Sequence, residues 1–256
     1  PDTSSPSHIR AVAVIPARYA STRLPGKPLA DIGGRTMVEH VYRRVEAAPS
    51  VGAVFVATDD ERILDAVTAF GGEARMTRPN HHSGTDRLAE IIDTVSCDLV
   101  VNVQADEPLI EPHMIDAVVA ACGHNREILM STLRCPIRHT EDLQNSNVVK
   151  VAVDRKGFAL FFSRGAIGFD RRTEHDFEAP AVYKHIGMYA YRRSFLLTLT
   201  RLEQTPLERA EDLEQLRALE HGHRIMTTET QHDPIGVDTP EELERVRRLL
   251  LTGASV

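Results

Sequence analysis

Three basic side chains lie within ten residues of one another, directly after the first apolar segment of the chain. They are Arg18, Arg23 and Lys27. Small or hydroxyl-bearing residues surround them, namely Ala17, Ser21, Thr22 and Gly26. Small residues let backbone N–H groups approach a phosphate, while Arg offers a fork of donors and Lys a point charge. The pattern predicts a phosphate-binding loop, although the same charges could lie in a solvated turn. It matches neither the GxxxxGK[ST] nor the GxGxxG motif, so those nucleotide folds are disfavoured.

Two carboxylates also occupy positions suited to chemistry. Asp106 follows an apolar segment that ends at Val103, and Asp238 precedes a predicted helix. Mg²⁺ is typically held by one or two carboxylates together with phosphate oxygens. On sequence alone, Asp106 could equally form a plain turn with Glu107, and Asp238 could serve only the positive end of the helix.

Cysteine and histidine spacing argues against a zinc site or a disulfide framework. Cys97, Cys122 and Cys135 form an odd, scattered set without a CxxC pair. His81 and His82 are adjacent, so their side chains point apart in an extended segment, and no third ligand lies nearby. The cysteine pattern predicts small core residues and a cytoplasmic location.

The first half of the chain alternates between apolar segments and segments with helical spacing. The predicted strands are 11–15, 51–57 and 99–103, and the predicted helices are 38–45, 61–70, 88–95 and 112–121. Apolar strands between helices predict a mainly parallel sheet with helices on both faces. Ligands of such sheets bind beyond the carboxyl ends of the strands, which is where the basic loop lies.

The second half is richer in short strands. These are predicted at 128–133, 148–153, 158–162 and 186–191, with a hairpin turn at 154–157 and a helix at 207–219. Thr239, Pro240 and the following Glu residues predict the start of a last helix. We therefore expect one domain over residues 9–256, in which about 130–185 form a smaller lobe.

Composition narrows the possible functions. The chain has 256 residues, 42% of them hydrophobic, which is ample for a buried core. The net charge of -7 argues against nucleic acid as the main partner, since a polyanion requires a dominant basic surface. Residues 1–8 are expected to form a disordered tail and not a signal peptide. No apolar segment approaches the roughly 18 residues of a membrane span, so no membrane partner is expected.

These features occur together in a known family. The basic loop, residues 17–29, resembles that of the 3-deoxy-manno-octulosonate cytidylyltransferases, also called CMP-Kdo synthetases. The resemblance continues, in chain order, at residues 76–78, 81–90, 101–108, 162–164, 185–187, 213–217 and 237–240. His81 aligns with the family histidine, and His82 is the variable residue after it. The resemblance therefore covers nearly the whole chain, from about residue 11 to 250.

The resemblance implies an activity and a fold. The activity is transfer of CMP from CTP to 3-deoxy-D-manno-octulosonate (Kdo), by Mg²⁺-assisted attack of the anomeric hydroxyl on the α-phosphate. The products are CMP-Kdo, for lipopolysaccharide biosynthesis, and pyrophosphate. The implied fold is of the nucleotide-diphospho-sugar transferase type, with a mostly parallel mixed sheet flanked by helices. The smaller β-rich lobe would serve dimerisation, so a homodimer is expected.

The resemblance also implies residue roles. It places Asp106 and Asp238 at the metal, with Arg18 and Lys27 as further catalytic residues. It places the nucleotide against Ala17, Arg18, Ser21, Thr22, Arg23, Lys27, Arg78, Ser83, Gly84 and Asp106. It places the sugar against Gln104, Arg164, His185, Tyr189, Glu214 and Gln215. Without the resemblance, Tyr189 would be interpreted as a sheet aromatic and Glu214–Gln215 as a solvated helix face.

The sequence departs from the family pattern at two places, and it leaves rival functions open. Ala105 occupies a usual Gly position, and Gly168–Phe169 replaces Pro-Trp. A CMP-sialic acid synthetase would perform the same chemistry, although its Gly-Gly-Ser-Lys loop differs from residues 19–24 here. A glycosyltransferase has no need of three cations around a triphosphate. A non-catalytic nucleotide-binding module is the third alternative.

Overall fold

The computed structural model describes residues 10–20, 23–81, 83–168 and 182–252. Its strands are β1 (Ala11–Ala17), β2 (Asp31–Ile32), β3 (Arg35–Thr36), β4 (Val51–Thr58), β5 (Ala74–Met76), β6 (Leu99–Asn102), β7 (Met130–Pro136), β8 (Lys150–Val153), β9 (Ala159–Ser163), β10 (Val182–Arg192) and β11 (Met226–Glu229). Its helices are α1 (Met37–Glu46), α2 (Glu61–Ala69), α3 (Gly84–Asp93), α4 (Pro112–His124), α5 (Thr140–Gln144), α6 (Arg193–Leu199), α7 (Pro206–Glu211), α8 (Gln215–Glu220) and α9 (Pro240–Thr252). A 3-10 helix covers Lys27–Leu29.

The predicted mixed sheet is confirmed. Its strands lie in the order β11, β7, β10, β6, β1, β4, β5, and the pairs β6–β1, β1–β4 and β4–β5 are parallel. Strand β10 is antiparallel to both β6 and β7. The predicted hairpin is also present, since β8 pairs antiparallel with β9 and joins the sheet through β10. Strand β10 thus connects the parallel half of the sheet to this hairpin. The smaller dimerisation lobe at about 130–185 stays a prediction.

The central strand β1 buries side chains on both faces of the sheet. Ile15 packs in a cluster with residues of α1, α2 and α4, whereas Val14 packs in a second cluster with residues of α3, α6 and α8. Both side chains are fully buried, and burying such a side chain contributes about 1.5–3 kcal/mol. A third cluster joins Val237 and α9 to the β2–β3 hairpin and Met37. The continuous apolar sequence of β1 follows from helices on both faces.

The prediction of one helix over 207–219 was wrong. Helices α7 and α8 replace it, and Asp212 between them has φ 52°, which is left-handed. A residue in this conformation cannot continue a right-handed helix. The other predicted strands and helices are confirmed, with ends shifted by a few residues. Elements β2, β3, β5, α5, α6 and β11 were not predicted, because they are short or weakly patterned.

Within the described residues, no helix combines the length and apolar character that crossing a membrane requires. The predicted tail at residues 1–8 lies outside the described part of the chain.

Candidate active site

The basic loop and Asp106 meet at one edge of the sheet because β1 and β6 are adjacent and parallel. Ala11 pairs with Leu99, and Val14 pairs with Asn102. The two strands therefore end on the same side. The loop after β1 and the segment that carries Asp106 after β6 emerge there as neighbours.

Lys27 joins the two carboxylates predicted for the metal. Its Nζ donates to Asp106 Oδ2 at 2.5 Å and to Asp238 Oδ1 at 2.9 Å. Arg23 pairs with Asp238 Oδ2 at 2.9 Å. Burial works to lower the pKa of Lys27, but the charges and hydrogen bonds of the two carboxylates outweigh it and raise that pKa. Burial works to raise the pKa of Asp238, but Lys27 and Arg23 lower it overall. Lys27 is thus held protonated and Asp238 ionised.

Backbone contacts hold Asp238 against Asp106. The Val237 amide donates to the Asp106 carbonyl at 2.9 Å. The Glu242 carboxylate accepts from the amides of Asp238 at 2.7 Å and Thr239 at 3.0 Å. The Thr239 hydroxyl accepts in turn from the Glu242 amide at 3.3 Å, which completes the predicted capping arrangement of α9. Helix α9 therefore positions a residue that precedes it.

The donor set at this edge fits Mg²⁺ only together with a substrate. Asp106 and Asp238 supply hard oxygen ligands, and both contact the same ammonium group. No cluster of three or more His, Cys, Asp or Glu side chains suited to a metal occurs within the described residues. Mg²⁺ usually keeps waters and takes one or two carboxylates plus substrate phosphates. Two carboxylates beside the loop predicted to bind phosphate match that requirement.

The basic loop is closed by a glycine and an aromatic ring. The Gly26 amide donates to the Tyr19 carbonyl at 3.0 Å, and Gly26 has φ 68°. A Cβ at Gly26 would lie 3.1 Å from the Tyr19 ring. The guanidinium of Arg62, on α2, lies 3.3 Å from the centre of the same ring. Tyr19 and Arg62 were not among the predicted site residues. The predicted nucleotide contacts Ser21 and Thr22 lie outside the described residues.

The segment that contains the predicted nucleotide contacts Arg78 and Ser83 leads into α3. The Ser83 hydroxyl accepts from the Asp86 amide at 3.1 Å, so Ser83 caps the helix that begins at Gly84. Arg18 donates to the His81 carbonyl at 2.9 Å, which joins this segment to the basic loop. Arg78 is exposed and pairs with Glu90 at 3.4 Å. The structure thus brings Arg18 and Ser83 into one region, while Arg78 is directed toward α3.

A buried hydrogen bond links the start of α3 to Glu214, one of the predicted sugar contacts. Thr85 is almost fully buried, and its hydroxyl donates to Glu214 Oε2 at 2.7 Å. Burial raises the pKa of Glu214, although hydrogen bonds from Thr85 and Ser83 oppose the shift. Because Asp212 breaks the helix, Glu214 occupies the N-cap position of α8. Glu214 therefore faces the protein interior and not solvent.

Three of the predicted sugar residues lie around a bulge in β10. The rings of His185 and Tyr189 lie 5.5 Å apart, and Gln104 Nε2 lies 3.5 Å from the Gly187 carbonyl. Burial lowers the pKa of His185 to about 3, so its ring is neutral near pH 7. Burial and the nearby Glu214 charge raise the pKa of Tyr189. Gln104, His185 and Tyr189 therefore offer neutral aromatic and amide groups for hydrogen bonding.

Arg164 and Gln215 differ in how fully their donors are used. Arg164 Nε donates to the Glu211 carbonyl at 2.9 Å, and its amide donates to the Glu211 carboxylate at 2.8 Å. Gln215 is buried, and its Nε2 has no hydrogen-bond partner among the described residues. An unpaired buried amide costs free energy, and a polar substrate atom would relieve that cost. Gln215 is thus a predicted sugar contact whose Nε2 donor is open among the described residues.

Sequence reasoning missed several residues that support these groups. Thr132 is fully buried and lies 3.0 Å from His185 Nε2. Lys150 is also fully buried, and its ammonium donates to the carbonyls of Asn145, Val148 and Arg164. The signal available in the sequence was a lone Lys or Thr within an apolar strand, because such a side chain must find polar partners when buried.

Comparisons with known proteins identify the family. A cytidylyltransferase family model matches residues 12–225. A 3-deoxy-manno-octulosonate cytidylyltransferase from Syntrophotalea carbinolica is 54% identical over 239 residues, covering 91% of this chain and 96% of the relative. The chain belongs to the 3-deoxy-manno-octulosonate cytidylyltransferase family. The homologue of the same name from Geobacter sulfurreducens is 51% identical, over 91% of this chain and 96% of its own length.

Solved structures agree with this membership. A CMP:2-keto-3-deoxy-manno-octonic acid synthetase complexed with CTP is 43% identical, with a TM-score of 0.90, over 95% of this chain and 99% of its own. A 4-diphosphocytidyl-2C-methyl-D-erythritol synthase from Anaerococcus prevotii shares the fold at 12% identity and a TM-score of 0.63, over 96% of this chain and 98% of its own. The chain is therefore a nucleotidyltransferase with the fold expected for the cytidylyltransferases.

The two departures from the cytidylyltransferase pattern have different structural settings. Ala105 is buried in the cluster that contains Ile15. Gly168 has φ 68°, a conformation that proline cannot adopt because its ring fixes φ near −65°. The chain therefore follows a path at Gly168 that the usual family Pro would not allow. Phe169 lies outside the described residues.

Proposed function

We propose that this cytidylyltransferase transfers CMP from CTP to Kdo and releases pyrophosphate, supplying CMP-Kdo to lipopolysaccharide biosynthesis. The observation that carries the proposal is the contact of Lys27 with Asp106 and Asp238, at the end of the phosphate-binding loop. Relatives named for 3-deoxy-manno-octulosonate support the identity of the sugar. The solved synthetase complexed with CTP supports the identity of the nucleotide.

The chemistry requires positioning and charge neutralisation more than covalent participation by the protein. The anomeric hydroxyl of Kdo loses its proton to solvent as its oxygen forms a bond to the α-phosphorus and the bond from that phosphorus to the pyrophosphate oxygen breaks. Arg18, Arg23 and Lys27 neutralise the triphosphate. Incoming phosphates give the Lys27 ammonium new anionic partners, which frees the carboxylates of Asp106 and Asp238 for another cation.

Asp106 and Asp238 would hold Mg²⁺ together with phosphate oxygens. Bound there, Mg²⁺ would supply positive charge next to the phosphates that carry the developing negative charge. The capping bonds from Glu242 and the amide of Val237 keep the two carboxylates side by side. This chain therefore contributes a ligand pair that is already assembled before the substrate arrives.

The remaining roles divide between the two substrates. The nucleotide contacts Ala17, Arg78, Ser83 and Gly84. Ser21 and Thr22 of the loop complete the contacts to its phosphates. The sugar forms hydrogen bonds with Gln104, His185, Tyr189, Glu214 and Gln215. Its carboxylate binds Arg164. Gln215 Nε2 is buried and has no partner in the described part of the chain. This supports the assignment, because a sugar hydroxyl would satisfy it.

Pyrophosphate release with CTP and Mg²⁺ tests the function. We expect turnover with Kdo and none with a sialic acid, and the reverse preference would contradict the proposal. Asp106→Asn should lower kcat by about 10²-fold or more, because one anionic ligand of the metal is lost. Asp65→Asn, an exposed position on α2, is the matched control and should retain full activity. Normal activity of Asp106→Asn would remove Asp106 from the site.

We also infer a homodimer in the cytoplasm. The family resemblance supports the dimer, with residues of about 130–185 at the interface. The three cysteines are free and buried, which supports a reducing compartment. Sedimentation of the purified protein tests the dimer, and a monomer at micromolar concentration would contradict it.

A further inference from the structure

Strand β10 contains a bulge where it passes β7. Ile186 pairs with Leu133, but the next pair along β7 is Thr132 with Tyr189. Gly187 and Met188 are therefore extra residues on β10. Because two residues are inserted and not one, His185 and Tyr189 stay on the same face of the sheet, as their ring contact shows.

The bulge directs two carbonyl oxygens at one hydroxyl. Thr132 Oγ1 lies 2.8 Å from the Met188 carbonyl and 3.1 Å from the Ile186 carbonyl. It also lies 3.0 Å from His185 Nε2. Thr132 is fully buried, so these groups supply its hydrogen bonds. One hydroxyl therefore faces two oxygens that can only accept and one nitrogen that can either donate or accept.

The single hydroxyl proton decides the direction of each bond. A hydroxyl has one proton and two lone pairs. If that proton pointed at His185 Nε2, Thr132 Oγ1 would face both carbonyl oxygens at close range with no proton between them. If the proton points at the carbonyls, a lone pair of Oγ1 accepts from a proton on Nε2. In the second arrangement the carbonyls share the hydroxyl proton and Nε2 supplies its own, so no acceptor faces Oγ1 without a proton between them.

His185 is neutral, so it has one ring proton to place. Its ring is buried against Phe162 at 4.9 Å and Tyr189 at 5.5 Å, and burial lowers its pKa to about 3. A proton on Nε2 leaves Nδ1 without one. An unprotonated imidazole nitrogen accepts hydrogen bonds and donates none.

We propose that Thr132 is a positioning residue that fixes His185 in the Nε2-protonated tautomer, and that Nδ1 accepts a hydrogen bond from a hydroxyl of the acidic sugar. The sugar part of this inference rests on the proposed function. An acceptor nitrogen repels a carboxylate, since neither group carries a proton to share. His185 therefore favours a sugar hydroxyl at Nδ1 and disfavours the sugar carboxylate at that position.

Nitrogen NMR of the substrate-free enzyme labelled with ¹⁵N-histidine tests the tautomer. His185→Gln identifies the His185 signals. We expect the wild-type protein and Thr132→Ser to show a protonated Nε2 and an unprotonated Nδ1. Thr132→Val, which has nearly the same shape but no hydroxyl, should lose this preference. A proton on Nδ1 in the wild type would overturn the proposal, and so would an unchanged tautomer in folded Thr132→Val. If Thr132→Val does not fold, the wild-type spectrum still tests the tautomer of His185.

Steady-state kinetics test the sugar contact. Thr132→Val should raise the KM for Kdo about tenfold, the effect of losing one hydrogen bond, and leave the KM for CTP unchanged. Thr132→Ser should restore the KM for Kdo. Equal rises in both KM values, or no rise for Kdo, would contradict the contact. If the wild-type enzyme has a protonated His185 Nε2 but does not turn over Kdo, the tautomer assignment stands and only the proposed function is refuted.

Discussion

The burial of His185 makes the stability of the protein depend on pH. Its pKa is about 3 in the folded state and about 6.5 in an unfolded chain. Between these values the unfolded chain binds a proton that the folded protein does not. The contribution of neutral, buried His185 to the free energy of unfolding is therefore fully present above pH 6.5 and is lost as the pH falls toward 3. The free energy of unfolding should drop by about 1.4 kcal/mol per pH unit through this group.

Denaturant unfolding of the wild type and His185→Gln between pH 4 and 7.5 measures this effect. The variant should show a shallower fall of unfolding free energy below pH 6.5, because the buried ring that resists protonation is absent. His124→Gln removes an exposed histidine at the end of α4, and it should keep the wild-type slope. Identical slopes for the wild type and His185→Gln would show that His185 protonates freely in the folded state.

Individual residues could be selected from the sequence, but their partners could not. The positions of Lys27, Asp106 and Asp238 beside predicted strand and helix ends were visible. Their mutual contact was not, because it joins residues 79 and 211 positions apart. Thr132 could be recognised only as a polar residue within an apolar strand, since its role depends on a bulge in a different strand. Side chains that act through a tertiary contact leave little local pattern.

The element that positions Asp238 is the first turn of α9. Glu242 accepts from the amides of Asp238 and Thr239, while neighbouring Glu241 is exposed. Glu242→Ala should lower the free energy of unfolding by about 1 kcal/mol, the usual effect of losing a helix cap. It should also lower kcat, because Asp238 would lose its fixed backbone.

Thermal unfolding and pyrophosphate release measure the two effects, with Glu241→Ala as the matched control. Both variants remove one negative charge near the helix N-terminus, so only the capping bonds differ. Equal loss of stability and activity in the two variants would mean that charge, and not the cap, positions Asp238.

At the level of elements, periodicity predicted the main sheet and failed at short or broken segments. Strand β1 could be recognised because helices cover both of its faces, so every residue is apolar. The apparent helix at 207–219 had helical spacing throughout, yet Asp212 takes a left-handed conformation that hydrophobic spacing does not encode. That break matters for the site because it sets Glu214 at the N-cap of α8.

For the whole molecule, the β8–β9 hairpin offers an exposed apolar residue for the proposed dimer. Leu160 on β9 is 63% exposed, and it lies within residues 130–185, the range predicted for the dimer interface. Leu160→Glu should shift the protein from dimer to monomer in analytical ultracentrifugation. Leu251→Glu, at a leucine that is 77% exposed on α9, should leave the dimer intact. Dimers of unchanged affinity in both variants would place the interface elsewhere.

The contact between Lys27 and Asp238 also has a consequence for the timing of assembly. It joins positions 211 residues apart, so the intervening chain must bring them together before the ion pair can form. A chain emerging from the ribosome exposes its first segments early, and β1, β4 and β6 can begin to pair while residue 238 is still untranslated. Ligand binding at this edge should therefore appear only late in synthesis. A nascent chain that ended just before Asp238 would contain the strands of the sheet but only one carboxylate of the pair.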